Sequence, residues 1–348
     1  MRNFPPAFLL RLAGLAFLTV LFWFFCLRSL IVLPAKDYQV KMKAVSTALK
    51  AQRLLGERLK GEEYTFITTT MGSYQAKEMS LHPDFAALTV ELLHEAGVRR
   101  GDRVAVNFSG SFPALNVAVL AAADAIGARP VITSSLGAST WGANRPEDTW
   151  LDMEAELYRQ GLWPWRSAAA FPGGEGDRGG GLPEEGLAAI YRAMRRAGLP
   201  ARQSVSLEQA IAERLSVYRE NGSLPRALVN VGGSHVIFGG EGLTPLRQGL
   251  TTGFYQEGVW AADGLAKEFI KERKPVIHFI NILKLAGQYG IKKDAPYGKS
   301  SVFYKQAAPF WLRSLIIFWL LGVFFLLKTG GSRGWWTKPF KTVNSTVY

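Results

Sequence analysis

Two long apolar runs close off the ends of the chain, and between them short apolar runs alternate with polar turns. Arg103-Val-Ala-Val-Asn-Phe has the pattern of a short strand buried on both faces. Ser109-Gly110-Ser111 interrupts it. Pro113-Ala-Leu-Asn-Val-Ala-Val-Leu-Ala-Ala-Ala follows and is apolar almost all round, as befits a helix enclosed on every side. Gly127 ends that helix, Arg129-Pro-Val-Ile-Thr is a second strand, and Ser134 to Asn144 is a second polar turn. This βαβ unit is the expected centre of an α/β domain built on a mainly parallel, doubly wound sheet.

The flanking stretches predict further elements. Lys41 to Lys60 has helical spacing, with Met42, Val45, Leu49 and Leu55 on one side, and reads as an exposed helix. Tyr64-Thr-Phe-Ile-Thr-Thr is a short strand, and Gly72-Ser73 a turn. Ser80 is the expected N-cap of the next helix, with Pro83 in its first turn, Asp84 complementing its dipole, and Phe85, Leu88, Leu92 and Leu93 as its stripe. Helices are expected over 148–158, 184–197, 207–218, 265–271 and 280–289, and strands at Arg226-Ala-Leu-Val-Asn-Val and Pro275-Val-Ile-His-Phe. Residues 172–183 read as a flexible glycine-rich loop, and 239–258 as a long surface loop. Gly174, Gly176 and Gly179 spell G-x-G-x-x-G, but no strand precedes them and no helix follows at once, which rules out the dinucleotide reading.

The terminal runs read as membrane helices. Leu12 to Leu27 is uninterrupted and apolar, and Arg11 and Arg28 bracket it, so 8–33 is the first expected span. No Ala-x-Ala site follows, which favours an uncleaved anchor over a signal peptide. The second expected span, 307–327, carries Phe310, Trp311, Phe318, Trp319, Phe324 and Phe325, followed by Trp335, Trp336, Lys338 and Lys341 as an interfacial anchor. The chain then divides into a short tail (1–7), a span, a domain (34–306), a second span and a basic tail (328–348).

Charge sharpens this picture. The 348-residue chain has a formal net charge of +13. Arg2, Arg11 and Arg28 lie in the first 33 residues and Lys328, Arg333, Lys338 and Lys341 in the last tail, both without an acid. A surplus beside apolar segments fits a lipid surface rather than nucleic acid, and no basic stripe with interleaved aromatics stands out in the domain. Two short basic tails place the termini in the cytoplasm and the domain outside a bacterial cytoplasmic (inner) membrane. Cys26 is the only cysteine, so no intrachain disulfide and no cysteine-based zinc site is available. No metal site and no cofactor is expected.

Two strand–turn segments match. Arg103-Val-Ala-Val-Asn-Phe-Ser-Gly-Ser111 and Arg226-Ala-Leu-Val-Asn-Val-Gly-Gly-Ser234 both read R-x-x-V-N-x-x-G-S, hinting at two similar halves. A doubly wound sheet places such turns at the carboxyl edge of its strands, where ligands bind. The candidate binding residues are Asn107, Ser109, Gly110 and Ser111 in the first turn. Ser134, Ser135, Ser139, Thr140 and Asn144 belong to the second turn, and Asn230, Gly232, Gly233, Ser234 and His235 to the third. Backbone N–H groups and hydroxyls of this kind suit an anion or a polar chain. They are equally the ingredients of ordinary serine-capped turns. The P-loop, H-E-x-x-H and G-x-S-x-G signatures are absent. A hydrolase would use Ser111 as nucleophile with His235, and Asp124 or Asp263 as orienting acid.

Four stretches share a further property. Asn107-Phe-Ser-Gly-Ser-Phe-Pro-Ala-Leu-Asn116, Gly137-Ala-Ser-Thr-Trp-Gly-Ala-Asn144, Asn230-Val-Gly-Gly-Ser-His235 and Gly249-Leu-Thr-Thr-Gly-Phe-Tyr-Gln-Glu-Gly258 resemble the words of the poly-gamma-glutamate system protein family. These are membrane proteins associated with making and exporting poly-γ-glutamate, and the resemblance covers most of residues 60–295. It implies a place in a capsule or exopolymer pathway, with the synthase membrane components, the anionic polymer or its precursor and the bilayer as partners. It carries no catalytic assignment. Three readings follow: an accessory binding component, a serine-type γ-glutamyl hydrolase or transferase, and a purely structural membrane partner.

Overall fold

The computed structural model describes residues 6–28, 31–220, 222–240, 246–252, 263–307 and 310–332. Residues 1–5, most of the basic tail (333–348) and the 253–258 part of the fourth word lie outside them. The described chain forms two units, one made of both ends (1–34 and 304–348) and one of residues 35–303.

In the first unit, helix α1 (Pro6–Arg28) leads to strand β1 (Ile31–Pro34). A closing strand, Tyr304–Ala307, pairs with β1 antiparallel and leads to a last helix, Phe310–Ser332. Both expected spans are therefore shorter or shifted. The β-branched Ile31-Val32 pair and Pro34 favour extended backbone, so the first helix stops at Arg28 instead of running to Leu33. Phe22 and Trp319 stack at 4.7 Å. Among the described residues no helix is long and apolar enough to cross a membrane.

The second unit opens with α2 (Tyr38–Leu55), followed by β2 (Thr68–Thr70), α3 (Tyr74–Ser80), α4 (Asp84–Glu95), β3 (Arg103–Ser109), α5 (Pro113–Ile126) and β4 (Arg129–Ser135). Short strands β5 (Ala138–Ser139), β6 (Asn144–Arg145) and β7 (Asp148–Thr149) precede α6 (Trp150–Arg159) and β8 (Ala169–Phe171). Helices α7 (Glu184–Arg196) and α8 (Leu207–Tyr218) lead to β9 (Leu228–Val231), α9 (His235–Phe238), β10 (Gly249–Thr251), α10 (Leu265–Lys271), β11 (Val276–Phe279) and α11 (Ile282–Gln288).

Six strands form one sheet in the order β10-β11-β9-β3-β4-β8, parallel throughout except for β10. The chain is thus α/β with a mainly parallel sheet, as its pattern predicts. From β3 the chain steps outward to β4 and β8, then returns to the other side of β3 for β9 and β11. The winding direction reverses between β3 and β9, and a crevice opens at such a point beyond the strand ends. The two matching segments are these neighbours, in register: Ala105 faces Leu228, Val106 faces Val229 and Asn107 faces Asn230.

Alternate residues of a strand point to opposite faces. Ala105, Leu228 and Val276 pack with Leu215 and Tyr218 of α8 and Leu265 and Phe269 of α10, whereas Phe108 meets Trp150 of α6 edge-on. Helix α5 is buried along Pro113 to Ala123 because it lies against β3 and β4 on one side and α2 and α4 on the other. Pro113 starts it, and Gly127 ends it in the left-handed conformation, its N–H bonding to the Ala123 carbonyl.

Four expectations are corrected here. Helix α2 is not exposed: Lys41, Ala44, Val45, Ala48 and Ala51 are buried against α4 and α5. Small alanines let the helices approach closely, and the Lys41 ammonium lies beside Asp37 and Glu91, at 2.8 and 3.0 Å. Ser80 does not open a helix. It ends α3, its hydroxyl donating to the Lys77 carbonyl at 2.6 Å, and Pro83 occupies the N-cap position of α4. Ala169–Phe171, which lies outside every expected element, is the edge strand β8. Alanine gives little strand signal, so only pairing with β4 reveals it. Lastly, Tyr64 to Ile67 is not strand, and β2 begins at Thr68.

Because Ala48 sits in a closely packed helix–helix contact, Ala48→Leu is expected to overpack it and lower unfolding free energy by about 1–3 kcal/mol. Urea denaturation checks this. On an exposed helix the same change is neutral.

Candidate functional site

The three predicted turns meet at the carboxyl edge of the sheet, around a cleft of about 530 Å³. From the first turn Ser109 and Ser111 reach it, from the second Ser135 and Ser139, and from the third Gly233, Ser234 and His235. Close approach of these turns depends on glycine. A Cβ on Gly110 would lie 2.6 Å from the Leu136 carbonyl oxygen, and Gly232 has φ +87° with Ser109 Cβ only 3.2 Å from where its own Cβ would stand.

Below the cleft lies a buried polar layer. Asn107 Nδ2 donates to Asn230 Oδ1 at 2.6 Å and to Ser234 Oγ at 3.2 Å. Asn107 Oδ1 accepts from Arg214 Nε at 3.1 Å and Thr133 Oγ1 at 3.4 Å. Thr133 Oγ1 and the Tyr218 hydroxyl lie 2.6 Å apart, and that hydroxyl donates to the Val106 carbonyl at 3.1 Å. Burial pushes the Tyr218 phenol well above its ordinary range, so it stays neutral. Asn107 and Asn230 therefore hold the floor together beneath the cleft and do not line it.

Arg214 is the hub of this layer. It is fully buried on α8, its guanidinium carbon 3.6 Å from the Phe171 ring centroid, with Nη2 donating to Ser135 Oγ at 2.9 Å. Nη1 lies 2.5 Å from Asp177 Oδ2, a charge contact in which no N–H is aligned with that oxygen. Asp177 Oδ1 accepts from Ser135 Oγ at 2.8 Å. Asp177 belongs to the glycine-rich loop, which overturns the expectation of a flexible surface loop. The loop is held by Gly173–Arg178 and Glu175–Gly180 bridges, and its glycines at 173, 174, 180 and 181, with Glu175, line the cleft. Of its two acids, Asp177 anchors it, and no local pattern could name Arg214 as the partner.

Three further candidate residues, Ser134, Thr140 and Asn144, make hydrogen bonds within the fold. Ser134 Oγ pairs with Ser167 Oγ at 2.8 Å, and Ser167 in turn bonds to buried Glu154. Burial raises the Glu154 carboxyl to about 7. Asn144 spans to Glu62 and Thr68, and Thr140 Oγ1 accepts from the Gly72 N–H at 2.7 Å. These side chains fasten the second turn to the segment around β2. Gly110 and Gly232 contribute backbone to the turns.

His235 and Ser111 share the cleft but form no hydrogen bond with each other. His235 Nδ1 accepts from the Gly176 N–H at 3.1 Å. Ser111 Oγ accepts from the Ser139 N–H at 3.0 Å. Asp124 pairs with Lys43, and Asp263 with Lys267. The carboxylates suggested for orienting His235 are thus engaged with lysines of their own. Nearby His278 Nε2 donates to the Gly232 carbonyl at 3.1 Å, and burial lowers its pKa to about 4, keeping the ring neutral.

The residue that pattern reading missed is Lys77, on α3. Its Nζ donates to the Ser111 carbonyl, lies 2.8 Å from Ser139 Oγ and sits 3.9 Å from the Phe112 ring centroid. No carboxylate pairs with it among the described residues, and burial lowers its pKa to about 7. A seven-residue helix with a single lysine carries no sequence signal of its own. The described residues hold no group of three or more His, Cys, Asp or Glu side chains suited to a metal ion.

No protein-family model and no curated protein matches the chain.

Two predictions follow from this geometry. Asp177→Ala leaves the Arg214 charge buried without its acid and is expected to cost about 3–5 kcal/mol in chemical denaturation, most of it regained when Arg214→Met is added. Lys77 has a folded pKa near 7 and an unfolded one near 10.4. Between these values the unfolded chain binds the extra proton, so stability rises with pH across that window and Lys77 is least favourable below it. Lys77→Met should remove this component of the rise, visible as a flatter melting temperature between pH 7 and 10.

Proposed function

We propose that the protein is a membrane-anchored accessory component of a poly-γ-glutamate synthesis or export system, and that the cleft binds the polymer, its precursor or a segment of a synthase partner. The observation that carries this reading is the cleft itself. It lies where the strand order reverses, and hydroxyls and glycine backbone from three separate turns converge on it. A chain of amides and carboxylates offers acceptors to hydroxyl and N–H donors at every repeat, which suits this lining. The words that carry the family resemblance supply those same turns.

The anchoring part rests on the two terminal helices. Each is 23 residues long. Phe17, Trp23, Phe24, Phe318 and Phe324 are all more than two-fifths exposed, an apolar surface that water disfavours and lipid accepts. The strands that adjoin the two helices pair antiparallel. With both termini on the cytoplasmic side, the domain stands outside.

Full-length protein in detergent is expected to bind oligo-γ-glutamate in calorimetry. Ser111→Ala together with Ser234→Ala should weaken binding about tenfold or more, the net value of two hydrogen bonds. Deleting the gene should lower surface poly-γ-glutamate. Unchanged polymer pools together with no binding by the purified protein would refute the assignment.

A further inference from the structure

Lys77 and Ser139 form an arrangement that a binding cleft does not require. Ser139 lines the cleft, and Lys77 stands behind it, 7% exposed, with its Nζ 2.8 Å from Ser139 Oγ. The carbonyl of Ser111 only accepts, so Nζ spends an N–H on it. A neutral amine then has its lone pair left, and a hydroxyl is the neighbour able to donate to it. No acid pairs with it among the described residues, and the Phe112 ring and the packed turn keep water from it. The amine is therefore substantially neutral near pH 7. The serine backbone is also fixed: its N–H donates to Ser111 Oγ and its carbonyl accepts from the Gly142 N–H, both at 3.0 Å. Ser111 Oγ accepts one bond there, which leaves its own proton for a group in the cleft.

We infer that Ser139 and Lys77 are a nucleophile–base pair for acyl transfer on an amide bound in the cleft. Ser139 Oγ attacks the carbonyl carbon while Lys77 Nζ takes the hydroxyl proton. The C–N bond then breaks, and Lys77 passes that proton to the departing amine. Water attacks the resulting acyl-serine and gives its proton to Lys77. The C–O bond to serine breaks, a carboxylic acid leaves, and the proton returns to Ser139 Oγ. Amide plus water become acid plus amine, with nothing else consumed. This differs from a Ser111–His235 pair, whose members are not hydrogen-bonded to each other. The substrate class, a γ-glutamyl amide, rests on the function proposed above. The Ser139–Lys77 pair does not depend on that substrate.

The test uses full-length protein in detergent, a fluorophosphonate and a β-lactone as serine-directed probes, and peptide mass mapping. A covalent adduct on Ser139 is expected with at least one probe, forming faster as pH rises through about 7. Lys77→Met should slow it about 100-fold or more, the usual contribution of a general base. The thermal transition verifies that the variant is folded. Should it not fold, the pH–rate profile of the unaltered protein carries the same information. No Ser139 adduct between pH 6 and 9 from either probe, an adduct on Ser111 instead, or a labelling rate flat across pH overturns the pair. Parallel calorimetry with oligo-γ-glutamate separates the two claims. Binding without labelling removes only the Ser139–Lys77 pair, and labelling without binding removes only the γ-glutamyl substrate.

Discussion

The hydrogen bond between Asn107 and Asn230 sits where the sheet changes its winding direction, and the cleft is organised around it. Two parallel strands separated by more than a hundred residues lie side by side there, each ending in a glycine turn. A carboxamide pair buried at this point must be fully partnered, because an unmatched donor or acceptor costs about 1–3 kcal/mol. Asn107 meets that requirement with Asn230, Ser234, Thr133 and Arg214. A one-residue shift of β3 would turn Asn107 to the opposite face and leave Arg214 without this acceptor. The polar layer thus selects one register, and that register places the two turns opposite each other.

The buried charge beneath the cleft extends the same constraint to a loop distant in sequence. Arg214 is tolerable in the interior because Asp177, Ser135, Asn107 and the Phe171 face surround it. Such a pair contributes little net stability compared with apolar packing, but breaking it is costly. Its consequence is positional. Asp177 cannot leave without exposing Arg214 to an apolar surrounding, so the glycine-rich loop stays over the cleft, where its small residues leave room for a ligand.

Lys77 is held by a different balance. No carboxylate pairs with it among the described residues, and the same burial that lowers its pKa leaves an amine against Ser139 at the cleft wall. The proposed binding and acyl transfer would draw on one set of turns, because the Ser139 N–H donates to Ser111 Oγ.

Local pattern carried much of the fold. The βαβ unit from Arg103 to Asn144, the enclosure of the Pro113 helix and the matching R-x-x-V-N-x-x-G-S segments were all legible, since strand alternation, all-round apolarity and turn glycines are short-range signals. The segments' pairing as in-register neighbours was not, because strand order is a long-range choice. The same limit explains the other differences. Alanine-rich β8 becomes a strand only through β4, and α2 is buried by partners its own spacing does not name. Ser134 and Asn144 look like ligand contacts but spend their hydrogen bonds on Ser167, Glu62 and Thr68. The sequence alone determined which turns are rich in donors. Tertiary structure decided which of those donors are left for a ligand, and it brought Lys77, Asp177 and Arg214 to them, because burial and hydrogen-bond satisfaction are settled only when distant segments meet.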